Sequence, residues 1–225
     1  MKISYGITVY NEHIELDNLL HHLSKHIRDE DEVVVTQDVS KVGSKVIQQD
    51  EFYALEKIFE KYEYHDYFEP SQLKVNTFKF NKDFSALKNY TKGNCSGDYV
   101  FHIDADEIPN KWLIENIHEI LESNEVDLIW VPRINTVEGI TEEHIQKWGW
   151  KVTEKGWVNF PDYQGRIYKN DKSIYWENPV HEVIKGAKKV SHFPPQEEFC
   201  LYHPKDIQRQ EKQNELYSNI DRNKK

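Results

Sequence analysis

Strand-like and helix-like segments take turns along this chain from residue 3 to about residue 131. Residues 3–10 (ISYGITVY) are an apolar run suited to a buried strand, and Leu16, Leu19, Leu20, Leu23 and Ile27 then mark one face of a helix. Residues 32–36 (EVVVT) predict a second strand, rich in β-branched side chains. Phe52, Leu55, Phe59 and Tyr62 return to helical spacing, residues 74–80 predict a third strand, and Phe84, Leu87 and Tyr90 a helix. Residues 99–103 are a fourth strand that runs straight into Asp104-Ala105-Asp106-Glu107. Pro109 suits the first turn of a helix with Leu113, Ile117, Ile120 and Leu121 on its apolar face. Residues 127–131 (DLIWV) predict a fifth strand.

This alternation implies an α/β fold: a mainly parallel central sheet flanked by helices. Ligands of such sheets bind beyond the carboxyl ends of the strands. Here those ends carry residues 8–12, Gln37 and Asp38, and residues 104–107, a gathering of polar and acidic groups at one edge.

After about residue 135 the pattern changes. Residues 136–160 hold Trp148, Trp150 and Trp157 without a clean period and read as a long loop with short elements. Residues 165–169, 174–176 and 181–185 predict short strands, with Asn170-Asp171 as a turn. Residues 204–220 predict a polar closing helix with Ile207, Leu216, Tyr217 and Ile220 as its apolar contacts, and residues 221–225 a frayed end. A single domain over 1–225 is expected, in two parts, 1–135 with the strand–helix alternation and 136–225 with short strands and a closing helix.

Composition excludes several classes. No run of about 18 apolar residues occurs, so stable membrane insertion is not expected. The opening MKISYG lacks an apolar signal segment, which makes a cytoplasmic protein the expectation. With 29 basic and 39 acidic residues the formal net charge is −10, which repels phosphate backbones and argues against nucleic-acid binding. A bound polyphosphate would need a metal, a helix N-terminus or a few placed cations. Cys95 and Cys200 follow no metal-ligand spacing and read as reduced thiols.

Chemistry concentrates at Asp104-Ala105-Asp106-Glu107. Along a strand, residues i and i+2 share a face, so Asp104 and Asp106 are expected to present two carboxylates together. Hard oxygen ligands suit Mg²⁺ or Mn²⁺, which also bind phosphate oxygens and neutralise a diphosphate leaving group. The competing reading is a solvated acidic turn before a helix, and placement at the end of a buried strand favours the ligand role.

At this point the chain resembles glycosyltransferase family 2. Ile7-Thr8-Val9-Tyr10-Asn11-Glu12 is similar to the family's first strand, and residues 33–40 (VVVTQDVS) to its second, which commonly ends in an Asp near the nucleotide base. Residues 84–89 (FSALKN) and 97–107 (GDYVFHIDADE) are similar to its central block, where Arg-Asn usually stands in place of Lys88-Asn89. Residues 164–170 (QGRIYKN) and Val180-His181-Glu182 resemble the late part of one branch. The resemblance covers roughly residues 3–210.

It implies a GT-A fold with 1–135 as the nucleotide-sugar-binding half and 136–225 as the acceptor-side half, a nucleotide-diphosphate sugar donor (UDP-linked ahead of GDP-linked), Mn²⁺ or Mg²⁺, inversion at the anomeric carbon, and a saccharide or other hydroxyl acceptor. By the same resemblance Asp38 accepts from the base or ribose, and Thr8, Asn11, Glu12 and Lys88 line the nucleotide pocket. Asp104 lies near ribose and metal, Asp106 is the direct metal ligand, and His203, in Leu201-Tyr202-His203-Pro204, completes metal or diphosphate binding.

Inversion needs a general base. Candidates outside the metal cluster are Asp162, Glu177, His181 and Glu182. Glu177 precedes Asn178-Pro179, a turn signal, and reads as solvated. His181 and Glu182 would face opposite ways on a strand. Glu182 is favoured through the His-Glu resemblance, with Asp162 second and a surface ion pair of Glu182 with Lys185 or Arg166 as the structural alternative. His21, His22, His26 and His65 read as surface residues. Trp148, Trp150 and Trp157 are either packing for a long loop or an aromatic platform for an acceptor sugar. A sugar nucleotidyltransferase would carry an early glycine-rich loop, whereas Gly6 stands alone. A two-metal phosphoesterase would gather more ligands. A non-catalytic nucleotide- or carbohydrate-binding protein on the same fold is the remaining alternative.

Overall fold

The structure, a computed structural model, describes residues 1–40, 49–65 and 67–212. In chain order it runs β1 (Ile3–Val9), α1 (His13–Leu23), β2 (Glu32–Asp38), α2 (Gln49–Tyr64), β3 (Leu73–Phe78), α3 (Phe84–Gly93) and β4 (Tyr99–Asp104). Then follow β5 (Ile108–Pro109), α4 (Lys111–Glu122), β6 (Leu128–Glu138), α5 (Glu142–Trp148), β7 (Val158–Lys169), β8 (Tyr175–Glu177) and β9 (Val183–Lys185). β10 (Val190–His192), a 3₁₀ turn (Glu197–Phe199) and β11 (Leu201–Asp206) complete it.

The main sheet has the order β3-β2-β1-β4-β7-β6-β11-β5, with β10 also on β6. β3, β2, β1 and β4 are mutually parallel. β7 is antiparallel to both β4 and β6, so β6 points the same way as β4, and β11 runs parallel to β6. The carboxyl ends of β1, β2, β4, β6 and β11 therefore share one edge. Successive residues of β4 serve opposite faces. Phe101 and Ile103 join a large core with the α1 leucines and with Leu113, Ile114 and Ile117 of α4, whereas Val100 joins a smaller one with Leu128, Tyr168, Ile174 and Trp176.

Several elements depart from expectation for local reasons. Pro109 lies in β5, paired with Leu201, and α4 starts only after Asn110, whose side chain accepts from the Trp112 N–H at 2.9 Å. α3 buries Ser85, Leu87, Lys88 and Thr91, leaving Tyr90 39% exposed against Phe78. Three of the four buried residues are polar, and Lys88 among them reaches Asp104 and Glu182. Gly6 is the contact that lets α3 approach: a Cβ there would meet Thr91 Cγ2 at 3.3 Å. Residues 136–160 hold more regular structure than their pattern suggests, since β6 extends to Glu138 and α5 is capped by Thr141 and ended by Gly149 at φ 65°. α5 buries no residue, so it leaves no apolar period to read. Residues 204–206 belong to β11, paired with β6, and helix begins at residue 207; Leu216, Tyr217 and Ile220 lie outside the described residues.

His21 and His65 are exposed, but His22 and His26 are half-buried between α1 and α4, bonded to the Pro109 carbonyl (2.9 Å) and Glu115 (3.2 Å). Cys95 and Cys200 are free thiols, and burial pushes both up to about 12. Among the described residues no helix is long and apolar enough to cross a membrane.

At the opposite, amino-end edge of the sheet, Glu32 is 1% exposed and accepts from Lys2 and Lys74 ammonium groups, the Ser4 and Ser96 hydroxyls and the Ser96 N–H. Burial opposes its charge, but these donors hold the carboxyl far below the ordinary value of 4.5. A depressed folded-state pKa gives stability that is fully present above the unfolded value and is lost as pH falls through the folded one. Glu32→Gln is expected to cost on the order of 3 kcal/mol at neutral pH and to flatten the loss of stability below about pH 4.5. Urea midpoints measured from neutral to acid pH check this; parallel curves for wild type and variant would refute it.

Candidate active site

Thr8 and Asp104 are register partners at the ends of β1 and β4, and Thr8 Oγ1 donates to Asp104 Oδ1 at 3.4 Å. Asp38 ends β2, where its Oδ1 accepts from the Ser40 N–H (2.7 Å) and the Phe80 N–H (3.2 Å). That is the turn role and it fixes the carboxylate at the sheet edge. Beyond β1, Asn11 is exposed in the turn, while Glu12 Oε2 accepts from the Tyr10 and Asn11 N–H groups at 2.8 and 3.1 Å. Glu12 Oε1 meets Arg209 at 3.4 Å.

Asp104 and Asp106 do not present their carboxylates as the strand rule predicts. β4 ends at Asp104 and the chain turns, with the Glu107 N–H donating to the Asp104 carbonyl at 2.9 Å, so strand alternation no longer applies. Asp104 faces Arg166 (2.5 Å) and Lys88 (3.6 Å). Burial works against its ionisation, but the Arg166 and Lys88 charges hold it well below the usual carboxylate range. Asp106 faces His203 (3.3 Å), Arg209 (3.4 Å) and Lys205 (3.8 Å). Burial opposes its charge too, yet His203 when protonated and the Lys205 ammonium hold it well below the usual range. Between them Glu107, 0% exposed, accepts from Arg133 at 2.9 Å and Arg166 at 2.6 Å. It is the hub that keeps the buried Arg166 and half-buried Arg133 guanidinium groups in place.

The His203 ring is set by a chain of hydrogen bonds. Asp162 Oδ2 accepts from Arg133 Nε (3.0 Å), Arg133 Nη2 (2.7 Å) and Asn135 Nδ2 (2.9 Å). The Asn135 amide nitrogen therefore faces Asp162, and its oxygen faces His203 Nδ1 at 2.6 Å. Nδ1 therefore carries a proton, and Nε2 faces Asp106 Oδ2, donating to it when the ring is protonated and turning a lone pair toward it when the ring is neutral. Burial lowers the His203 pKa, which favours this neutral ring. In the neutral ring the two groups are acceptors 3.3 Å apart, an arrangement that a cation between them satisfies. Among the described residues no three His, Cys, Asp or Glu side chains converge as a complete ligand set. A carboxylate and an imidazole still fit an ion that takes its remaining ligands from a substrate diphosphate.

The sequence profile described as glycosyl transferase family 2 matches residues 4–184. The chain belongs to glycosyl transferase family 2. Its fold is GT-A-like: the S. aureus TarS fragment 1–349 superposes with a TM-score of 0.59 at 18% identity, covering 91% of this chain and 60% of the fragment. The same fragment in complex with UDP-GlcNAc gives 0.61 at 19% identity, covering 91% and 58%, and in complex with UDP 0.60 at 18%, covering 91% and 60%. This family-2 chain spans 37% of the longer TarS chain. No curated protein sequence matches it.

On this family-2 scaffold Lys88 is the link between the two halves of the site. Its side chain, 6% exposed, meets Glu182 Oε1 at 2.6 Å, Asp104 at 3.6 Å and the Trp176 ring at 4.6 Å. Glu182 thus pairs with Lys88 rather than with Lys185 or Arg166; Lys185 lies nearest Glu177, at 3.9 Å. His181 has φ 53° and precedes β9, so the opposite-faces expectation for His181 and Glu182 does not apply there. Trp148, Trp150 and Trp157 are half-buried and pack on rings of their own segment: Trp148 on His144 and Trp150 (5.1 and 4.6 Å), Trp157 on Phe160 (4.8 Å).

Sequence reasoning had no site role for Glu107, Arg133, Arg166, Lys205 or Arg209. Arg133 and Lys205 lie in strands whose partners only the fold brings together. Arg166 stood in plain view in the QGR motif, and alternation along β7 could have flagged it as inward-facing.

Proposed function

We propose that this chain transfers a sugar from a UDP-sugar to a hydroxyl acceptor with inversion at the anomeric carbon, assisted by Mn²⁺ or Mg²⁺. The observation that carries this reading is the convergence of Asp106, His203, Lys205 and Arg209 at the carboxyl end of β4, on a family-2 chain. TarS in complex with UDP-GlcNAc and with UDP, on a similar fold, supports the donor class.

Asp106 and His203 would hold the cation. When bound, it neutralises charge on the departing diphosphate. Lys205 and Arg209 add placed cations, which a chain of net charge −10 needs around a polyphosphate. Asp104, engaged by Arg166 and Lys88, lies on the ribose side, with Thr8, Asn11, Glu12 and Asp38 lining the nucleotide pocket. Glu182 takes the acceptor proton. Asp162 positions Arg133, Asn135 and through them His203. The segment bearing Trp148 and Trp150 leaves from the carboxyl end of β6, the edge that holds the donor, and forms the acceptor side. Hydrolysis of a panel of nucleotide sugars with Mn²⁺ tests the reading, and cleavage of none would end it.

Asp38→Ala separates two roles of one carboxylate. A charge-assisted hydrogen bond contributes roughly 1.5–3 kcal/mol, so UDP affinity should fall about ten- to a hundredfold. Loss of the Ser40 and Phe80 bonds should also lower the melting temperature. Calorimetric titration at a temperature where the variant is folded isolates the first effect. Unchanged affinity there leaves Asp38 with the turn alone.

A further inference from the structure

Glu182 lies in the connection between β8 and β9, and main-chain bonds tie that hairpin to α3. The Trp176 N–H donates to Asn89 Oδ1 and Asn89 Nδ2 donates to the Trp176 carbonyl, each at 2.8 Å. The Phe84 N–H donates to the Pro179 carbonyl at 2.9 Å. Asn89 follows Lys88 directly, so these bonds hold Glu182 against the helix that bears its partner. The Trp176 ring is fixed as well: it is 5% exposed, and its Nε1–H donates to the Tyr168 hydroxyl at 3.0 Å. Lys88 Nζ stands 4.6 Å from the centroid of that ring, inside the roughly 6 Å over which an aromatic face attracts an ammonium.

The counter-charges of Lys88 are unequal. Glu182 Oε1 is 2.6 Å away, whereas Asp104 is 3.6 Å away and already engaged by Arg166 at 2.5 Å. In the transfer, the acceptor oxygen bonds to the anomeric carbon as the bond from that carbon to the diphosphate oxygen breaks. The bonding pair leaves with UDP, and the hydroxyl proton goes to Glu182. Glu182 becomes neutral, and the buried ammonium loses its nearest counter-charge at that moment. An uncompensated buried charge is costly, and the cost falls on the transition state because the proton is in motion there. An aromatic face offsets it without itself titrating.

We propose that Trp176 is a positioning residue for the transfer: its indole face holds the Lys88 ammonium while Glu182 takes the proton. The proposal rests on the reading of Glu182 as general base. An interaction that strengthens only as the proton moves raises kcat and leaves donor binding unchanged.

Site-specific replacement of Trp176 by monofluoro-, difluoro- and trifluorotryptophan tests this. Fluorine withdraws charge from the ring face stepwise and keeps the shape, the Nε1–H bond and the main-chain bonds to Asn89. Hydrolysis of the nucleotide sugar that the wild type cleaves fastest, with Mn²⁺ and water as acceptor, gives kcat. It should fall with each fluorine, by about tenfold over the series, while UDP affinity and melting temperature stay level. A flat kcat across the series would overturn the proposal and leave the glycosyltransferase reading standing. In Glu182→Gln no proton reaches residue 182, so the residual rate should not respond to fluorination. The same stepwise fall in that background would also overturn it, since the ring would then act on something other than proton transfer. Cleavage of no nucleotide sugar by the wild type would end the glycosyltransferase reading and this proposal with it.

Discussion

Asp106→Asn is expected to lower turnover by about 10²–10³-fold, the scale of losing one preorganised electrostatic contact to a departing group. Asn keeps the shape of the side chain and removes the charge that a divalent cation and two side-chain cations share. The Mn²⁺-dependent increment of UDP affinity should disappear with it. Metal-free UDP binding should stay level or tighten, because Lys205 and Arg209 lose the carboxylate they now face at 3.8 and 3.4 Å. The fold should survive, since Asp106 sits in a turn beyond β4 and contributes to no strand pairing. Calorimetry of UDP with and without Mn²⁺ is the measurement. A variant that retains the full metal-dependent increment would remove Asp106 from the site.

Glu182→Gln carries the second large effect. The amide keeps the length and hydrogen-bonding capacity of the side chain but cannot take a proton, so turnover should fall by ~10²–10⁴-fold with donor affinity nearly unchanged. Asp162→Asn is the control. Asp162 already accepts from Arg133, Asn135 and Gln164, and although burial works against its charge, these partners hold its carboxyl below the usual range. Its loss should appear as lower stability, about 3 kcal/mol for a broken buried ion pair, and as weaker Mn²⁺ binding through His203. Near-normal turnover in Glu182→Gln alongside collapse in Asp162→Asn, measured on folded protein, would transfer the role of base to Asp162.

The sequence by itself determined the parallel half of the sheet. The runs that became β1, β2 and β4 each carry enough consecutive apolar residues that burial fixes them as strands, β3 alternates Leu73 and Val75 with polar residues at the sheet's edge, and α1, α2 and α4 follow from apolar residues on one face. It also determined which edge holds the chemistry, because the direction of parallel strands decides where Thr8, Asp38 and Asp104 emerge. What it could not determine lies wherever the deciding partner is distant along the chain. Asp104 and Asp106 part company because the strand ends between them, a main-chain event with no mark in residue type. Glu182 belongs to Lys88, 94 residues earlier, rather than to its neighbour Lys185. Arg166, Arg133 and Glu107 form one buried charge cluster only because β7 and β6 bring 166 and 133 beside the end of β4. The tautomer of His203 depends on Asn135 and Asp162, side chains on two other strands. Apolar burial acts on patterns within one segment, so it can be read from residue order. The pairing of buried charges acts between segments, so tertiary structure alone assigns it.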